Sequence, residues 1–397
     1  MLATPINPSP DLQRLQNEGF ELEIRRGVGV HLLLHNVPYV NSQRQVLRGT
    51  LVTPLSLNNE KTITPLDNHQ TWFIGEHPCN CDGSEIFGIK HGSQKQDFGD
   101  GIVINHSFSS KPLNGVKYPD YYAKMTRYVE IISAPARSLQ PSVKAQNFKL
   151  IFDNEETSVF HYADTASTRA GIGAISGKLA TQKIAIIGLG GTGSYVLDLV
   201  AKTHVKEIHL FDGDEFCQHN AFRAPGAPCR EELINPLKVE YFANIYSKMR
   251  RGIMLHGEYL TSANIEQIAA FNFIFVCVDK PAVRKLIIDA LNAYQIPFID
   301  VGMDVQLSKQ DSLMGQCRAT LSTPQKNDHI ADRISFGDAR ANDIYASNIQ
   351  VAELNALNAA LAVIKWKKHS DFYLDEICEH NSIFTISTNG LTKDAIA

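Results

Sequence analysis

The sequence lacks a long hydrophobic run: no apolar stretch approaches the roughly 18 residues that a membrane span needs. It also lacks an excess of charge of one sign. Lys and Arg total 38 against 42 Asp and Glu, a formal charge of −4. That balance gives no drive toward nucleic acid or an anionic membrane. No Cys-x-x-Cys pair occurs, which leaves a conventional four-cysteine zinc site without support. The seven cysteines are odd in number and irregular in spacing, which argues against a disulfide framework and for the reducing cytoplasm. Met1-Leu2-Ala3-Thr4-Pro5 has no basic region followed by an apolar core, so it does not read as a secretory signal. There is no internal repeat and no low-complexity tract. What is present is an ordinary globular composition, 44% apolar and 20% charged over 397 residues, with room for two or three domains.

The first part reads as a smaller α+β domain, residues 1–148. Phe20, Leu22 and Ile24 alternate, Arg26-Gly27 turns the chain, and Val30–Leu34 returns, which is a hairpin pattern. Further strands are expected at Thr50–Leu55, Gln70–Ile74, Glu85–Ile89 and Ile102–Asn105. Tyr121, Met125, Tyr128 and Ile132 fall on one stripe of a helix from about Asp120 to Ile132. Ala134-Pro135 and the polar stretch Ser138–Ser142 then mark a boundary. In His77-Pro78-Cys79-Asn80-Cys81-Asp82 the Cys-x-Cys spacing is not a usual zinc pattern, so ordinary loop cysteines are the expectation.

From 149 to 397 the pattern changes to α/β alternation. A helix is expected over Thr168–Leu179. Apolar strands at Lys183–Ile187, Glu207–Phe211, Phe273–Val278 and Pro297–Val301 alternate with helical segments. That order predicts a doubly wound, Rossmann-like, mostly parallel sheet. Between a strand and a helix lies Gly188-Leu189-Gly190-Gly191-Thr192-Gly193. Glycines there let the backbone turn and approach phosphate, and the helix start offers free N–H groups. Asp212 ends the next strand, near the offset of a ribose-binding acid. The glycines leave NAD, FAD and ATP open. The continuation is more selective: Asn220, Arg223, Asn235-Pro236-Leu237-Lys238, then Cys277-Val278-Asp279. Hydride transfer has no use for such a set. Chemistry at a triphosphate needs cations against phosphate oxygens and a carboxylate for magnesium.

These residues, in type and order, resemble the ThiF/MoeB/HesA family of adenylyltransferases and the adenylation domain of ubiquitin-activating enzymes. The resemblance implies attack of a carboxylate on the α-phosphorus of ATP. It implies that Gly188, Gly190, Gly191 and Gly193 cradle the nucleotide and that Asp212 binds its ribose. Asn220, Arg223 and Lys238 would hold phosphate oxygens, and Asp279 would ligate Mg2+. Arg169 would reach the partner subunit's ATP site, implying a homodimer, although it lies closer to the glycine loop than the family pattern suggests. The first domain resembles an uncharacterised module that precedes bacterial ThiF-type enzymes, in keeping with binding of a partner or substrate. The implied substrate is a ubiquitin-like protein in a bacterial conjugation pathway, with a conjugating-enzyme-like protein as a second partner. Competing readings are a sulfur-transfer adenylyltransferase of cofactor synthesis and a non-catalytic scaffold with the same fold. An NAD-dependent oxidoreductase ranks last.

The family's long helix after the crossover loop has a counterpart in Asn348–Lys368. Its Val351, Leu354, Leu357, Leu361 and Ile364 form an expected core-facing stripe. The crossover loop itself, about Ser322–Ser347, contains no cysteine to form a thioester. Cys317 and Cys229 each adjoin an arginine, which favours a thiolate, but neither lies in that loop. Adenylation without covalent transfer, direct handover to a partner, and a hydroxyl such as Thr323 all remain open.

Overall fold

The computed structural model describes residues 9–58, 61–63, 69–112, 117–149, 158–234, 236–336 and 349–394. Two compact units emerge: Met1–Asn154 with Ala163–Gly171, and Glu155–Tyr162 with Ile172–Ala397.

In the first unit, β1 (Leu22–Gly27) and β2 (Gly29–Val40) pair antiparallel from Leu22↔Leu34 to Gly27↔Gly29. Gly29 carries the left-handed φ of +94° that so tight a turn requires. The sheet continues through β3 (Val46–Pro54), β4 (Gln70–Ile74), β5 (Lys90–Gly92) and β6 (His106–Ser109), in the order β1-β2-β3-β4-β6-β5. Its core packs Leu32, Leu34, Leu51 and Phe73 with Tyr121, Met125, Tyr128 and Ile132 of a helix. Asp120 caps that helix, accepting from the Ala123 amide at 2.7 Å. After α1 (Pro10–Asn17), this is α2 (Tyr121–Leu139). It does not stop at Ala134-Pro135 as the proline suggests. Ala136 is fully buried against Val40 and Val143, and that packing carries the helix past the proline. The segment Glu85–Ile89 is mostly turn, and the strand forms one step later as β5. Cys79 is buried, Cys81 is half-buried, and both are free thiols. The short helix α3 (Thr165–Ala170) closes this unit.

The helix expected over 168–179 is broken. Gly171 takes φ +68°, which ends α3, and a separate short helix follows at Gly173–Ser176.

In the second unit eight strands form one sheet. They are β7 (Lys183–Ile187), β8 (Glu207–Phe211), β9 (Ile253–His256), β10 (Phe273–Val276), β11 (Phe298–Leu307), β12 (Leu313–Ser322), β13 (Asn381–Thr385) and β14 (Gly390–Asp394). Their order is β9-β8-β7-β10-β11-β12-β13-β14. The first five run parallel and the last three join antiparallel. Strands β7 and β10 are nearly all apolar because both of their faces are covered. One layer contains Val196, Phe242 and Trp366. The other contains Ile287, Ile288 and Leu291. This is the doubly wound α/β arrangement, with loops gathered at the carboxyl ends of the parallel strands.

Candidate active site at the carboxyl ends of the parallel strands

Strand β7 ends at Ile187, and the chain turns at Gly188 with φ +91°. A Cβ on Gly188 would lie 2.7 Å from the Cys277 carbonyl oxygen. On Gly193 it would lie 1.9 Å from the Gly188 carbonyl oxygen, so the next helix, α4 (Gly191–Ala201), can pack on the strand only with glycine there. On Gly191 it would meet Asn355 Nδ2 at 2.1 Å. Gly190 is different. Its φ is −69° and nothing lies within 4 Å of a Cβ built there. Three glycines serve the protein's own packing, whereas Gly190 leaves space at the cavity lining.

Asp212 follows β8 and is nearly buried. Its Oδ2 accepts from the Leu189 amide at 2.6 Å, and its Oδ1 accepts from the Asp214 amide at 2.8 Å. The carboxylate therefore fixes the glycine loop to the end of the neighbouring strand. Lys238 opens α6 (Lys238–Tyr246), which follows the single-turn α5 (Gln218–Ala221). Its Nζ lies 2.6 Å from Asp214 Oδ2 and 3.6 Å from Asp212 Oδ1. Burial works against ionisation of Asp214, yet hydrogen bonds from Lys238 and Tyr259 hold its pKa below the ordinary carboxylate value. Asn220, on α5, is buried and accepts the Cys217 amide through Oδ1 at 2.9 Å.

Arg223 lines the same cavity, and its Nε is buried with no hydrogen-bond partner among the described residues. Such a donor is costly unless something fills the place. Asp279 follows β10, is exposed, and meets no cation among the described residues. It is not a helix cap: the cap position of α7 (Pro281–Ala293) is Lys280, and no side chain bonds there. Gly188, Gly190, Gly191, Asp212, Asn220, Arg223, Lys238 and Asp279 all border one cavity of about 1160 Å3. Gly193 stands behind it. Arg169 sits on α3 in the first unit. Asn235 and positions 337–347 of the expected crossover loop fall outside the described residues.

Sequence reasoning missed a second charged group. Asp300 is wholly buried at the end of the parallel part of β11. Arg318 Nη2 lies 2.5 Å from its Oδ2, and Arg284 Nε lies 3.2 Å from its Oδ1 without hydrogen-bond alignment. Burial pushes the Asp300 pKa up against the pull of both arginines. An acid inside the apolar run Phe298-Ile299-Asp300-Val301 was the available signal. The face of α8 (Ala352–His369) was also misread. Ile364 is exposed and Leu357 and Leu361 are half-buried. The buried face carries Leu354, Asn355, Asn358, Ala359, Ala362, Val363 and Trp366. It lies against α4, where Thr192 donates to Asn355 Oδ1 at 3.0 Å, so small and amide side chains replace leucine. Cys317 is buried and burial pushes its thiol up to about 11, whereas Cys229 is exposed.

Residues 10–165 match a domain of unknown function, DUF6791, and residues 169–352 match the ThiF family. Among solved structures, E. coli MccB with MccA-N7isoASN is 17% identical, with a TM-score of 0.44 over 59% of this chain and 70% of that one. PaaA is 16% identical, with a TM-score of 0.43 over 56% of this chain and 76% of that one. E. coli MccB with ATP is 18% identical, with a TM-score of 0.43 over 56% of this chain and 66% of that one. No curated protein matches the chain.

Proposed function

From the match of residues 169–352 to the ThiF family, we propose that the protein uses ATP to adenylate the C-terminal carboxylate of a ubiquitin-like protein in a bacterial conjugation pathway. The observation that carries this reading is the buried Nε of Arg223, without a partner among the described residues, on a cavity that also holds the open Gly190. A cation without a counter-ion among the described residues, beside a glycine with open space before it, suits a phosphate chain.

In the reaction, a carboxylate oxygen bonds to the α-phosphorus. The P–O bond to the β-phosphate breaks, and pyrophosphate leaves with the electron pair. Two anions must meet, so positioning and charge offset dominate. Arg223 and Lys238 face the phosphates as cations, and Asn220 adds an amide donor through Nδ2. Asp212 receives the ribose hydroxyls while it holds the Leu189 amide. Asp279 fits magnesium, because this ion takes one or two carboxylates and fills its remaining positions with phosphate and water. When bound, it would offset charge on the leaving pyrophosphate. Arg169 completes the site across a homodimer. The first domain binds the ubiquitin-like substrate or a conjugating-enzyme-like partner in the cytoplasm.

The test is ATP–pyrophosphate exchange with purified ubiquitin-like proteins, comparing the native chain with Asp279→Ala. Exchange that depends on such a protein and disappears in the variant supports the reading. A native chain that binds ATP but exchanges with none of them sinks it.

A further inference from the structure

We propose that the cavity wall formed by β11 and β12 is the subsite for the acyl substrate, with Arg318 holding the carboxylate oxygen that does not attack. This rests on the adenylation reading and assigns residues to its second substrate.

The sheet order gives the direction. Across the strand ends, Asp212 follows β8, the glycine loop follows β7 and Asp279 follows β10. A nucleotide whose ribose meets Asp212 and whose phosphates meet Gly190 and Asp279 therefore runs toward β11. The reacting carboxylate has to come from that side. The wall there is charged. Arg284 and Arg318 share the single carboxylate of Asp300, and both arginines line the cavity. Asp304 on β11 and Asp279 also border the cavity, but both are exposed, so the least exposed part of this wall holds two cations to one anion. Gly302 pairs with Arg318 across the two strands, and a Cβ on it would lie 2.8 Å from Arg318 Nη2. Glycine at this position gives the guanidinium its room.

Two acceptors stand on the same cavity. Asn358 is wholly buried and donates Nδ2 to the Gly302 carbonyl at 3.0 Å, which fixes its amide orientation. Its Oδ1 has no partner among the described residues. Gln350 Oε1 is likewise buried and without a partner among them. Both residues line the cavity. Phosphates have no N–H to offer these oxygens. The end of a peptide has both parts: a carboxylate for the surplus cation and backbone N–H groups for the amide oxygens.

The experiment titrates the full chain calorimetrically with three probes: AMPCPP, 5′-O-sulfamoyladenosine, and its N-glycylglycyl derivative, whose acyl carbonyl stands where an acyl-adenylate's would. A hydrogen bond from a charged donor is worth about tenfold or more. The glycylglycyl group should tighten binding to the native chain by about that factor. In Arg318→Met the gain should vanish while AMPCPP affinity is retained, and Arg318→Lys should restore part of it. Asn358→Leu should lower the gain independently, which keeps the test sound if Arg318→Met fails to fold. No gain in the native chain, or an equal gain in the native chain and both variants, overturns the subsite. Parallel loss of AMPCPP binding in folded Arg318→Met also overturns it, by making Arg318 a nucleotide residue. If the native chain does not bind AMPCPP, the adenylation reading itself fails.

Discussion

Arg223 and Lys238 are both cations on the cavity, yet they hold different things. Lys238 bridges two carboxylates, one of them nearly buried. Lys238→Met should therefore destabilise the fold by about 2–3 kcal/mol in urea unfolding, since it strands Asp212 without its partner. Arg223 leaves a buried donor unsatisfied among the described residues. Arg223→Met should leave the unfolding midpoint nearly unchanged and lower ATP–pyrophosphate exchange by about 100-fold or more. Loss of stability in Arg223→Met would show that the guanidinium is structural. In the first unit, Lys124 is wholly buried beside Thr53, and burial pushes its pKa down to about 7. The unfolded chain keeps this proton up to about 10.4, so between about 7 and 10.4 the unfolded state binds more protons. Lys124's contribution to stability therefore improves as pH rises through that window. Lys124→Met should be the more stable form at neutral pH, with the difference narrowing toward pH 10. A difference in unfolding midpoint that stays constant with pH counts against a neutralised lysine.

The glycine loop separates two demands on one element. Gly193 has no room for a methyl group, because the Gly188 carbonyl lies 1.9 Å from where it would stand. Gly193→Ala should push α4 off the sheet and cost about 3 kcal/mol, read in urea unfolding. Gly190 has open space. Gly190→Ala should fold normally and lose affinity for AMPCPP, because the methyl group occupies space intended for ligand. If Gly190→Ala binds AMPCPP as well as the native chain does, the phosphates lie elsewhere. The helix α8 shows how an element's pattern can mislead. Its leucines and isoleucine suggest one face, but contact with α4 selects another, where Asn355 and Asn358 find hydrogen bonds and alanines allow close approach.

At the scale of the molecule, each unit has an apolar core of its own. Removing residues 1–145 should therefore spare AMPCPP binding, apart from what Arg169 on α3 contributes, and weaken binding of the ubiquitin-like substrate or conjugating partner. Undiminished partner affinity would remove the role proposed for the first domain. The strands at Lys183–Ile187 and Glu207–Phe211, the glycine turn and Asp212 were all legible from local pattern. Each depends on neighbours along the chain: an apolar run, residues free to turn, and a fixed offset. The set Asn220, Arg223, Lys238 and Asp279 was readable only as residue types in order.

The sequence by itself determined the alternation of strands and helices, the turn at Gly188 and the near-neutral charge, because these are set by short-range sterics and composition. Tertiary structure decided that α2 passes Pro135, that Arg223 Nε lacks a partner among the described residues, and that Arg284 and Arg318 share Asp300. Those outcomes depend on burial and on side chains far apart in sequence, and no local periodicity encodes which of them will meet.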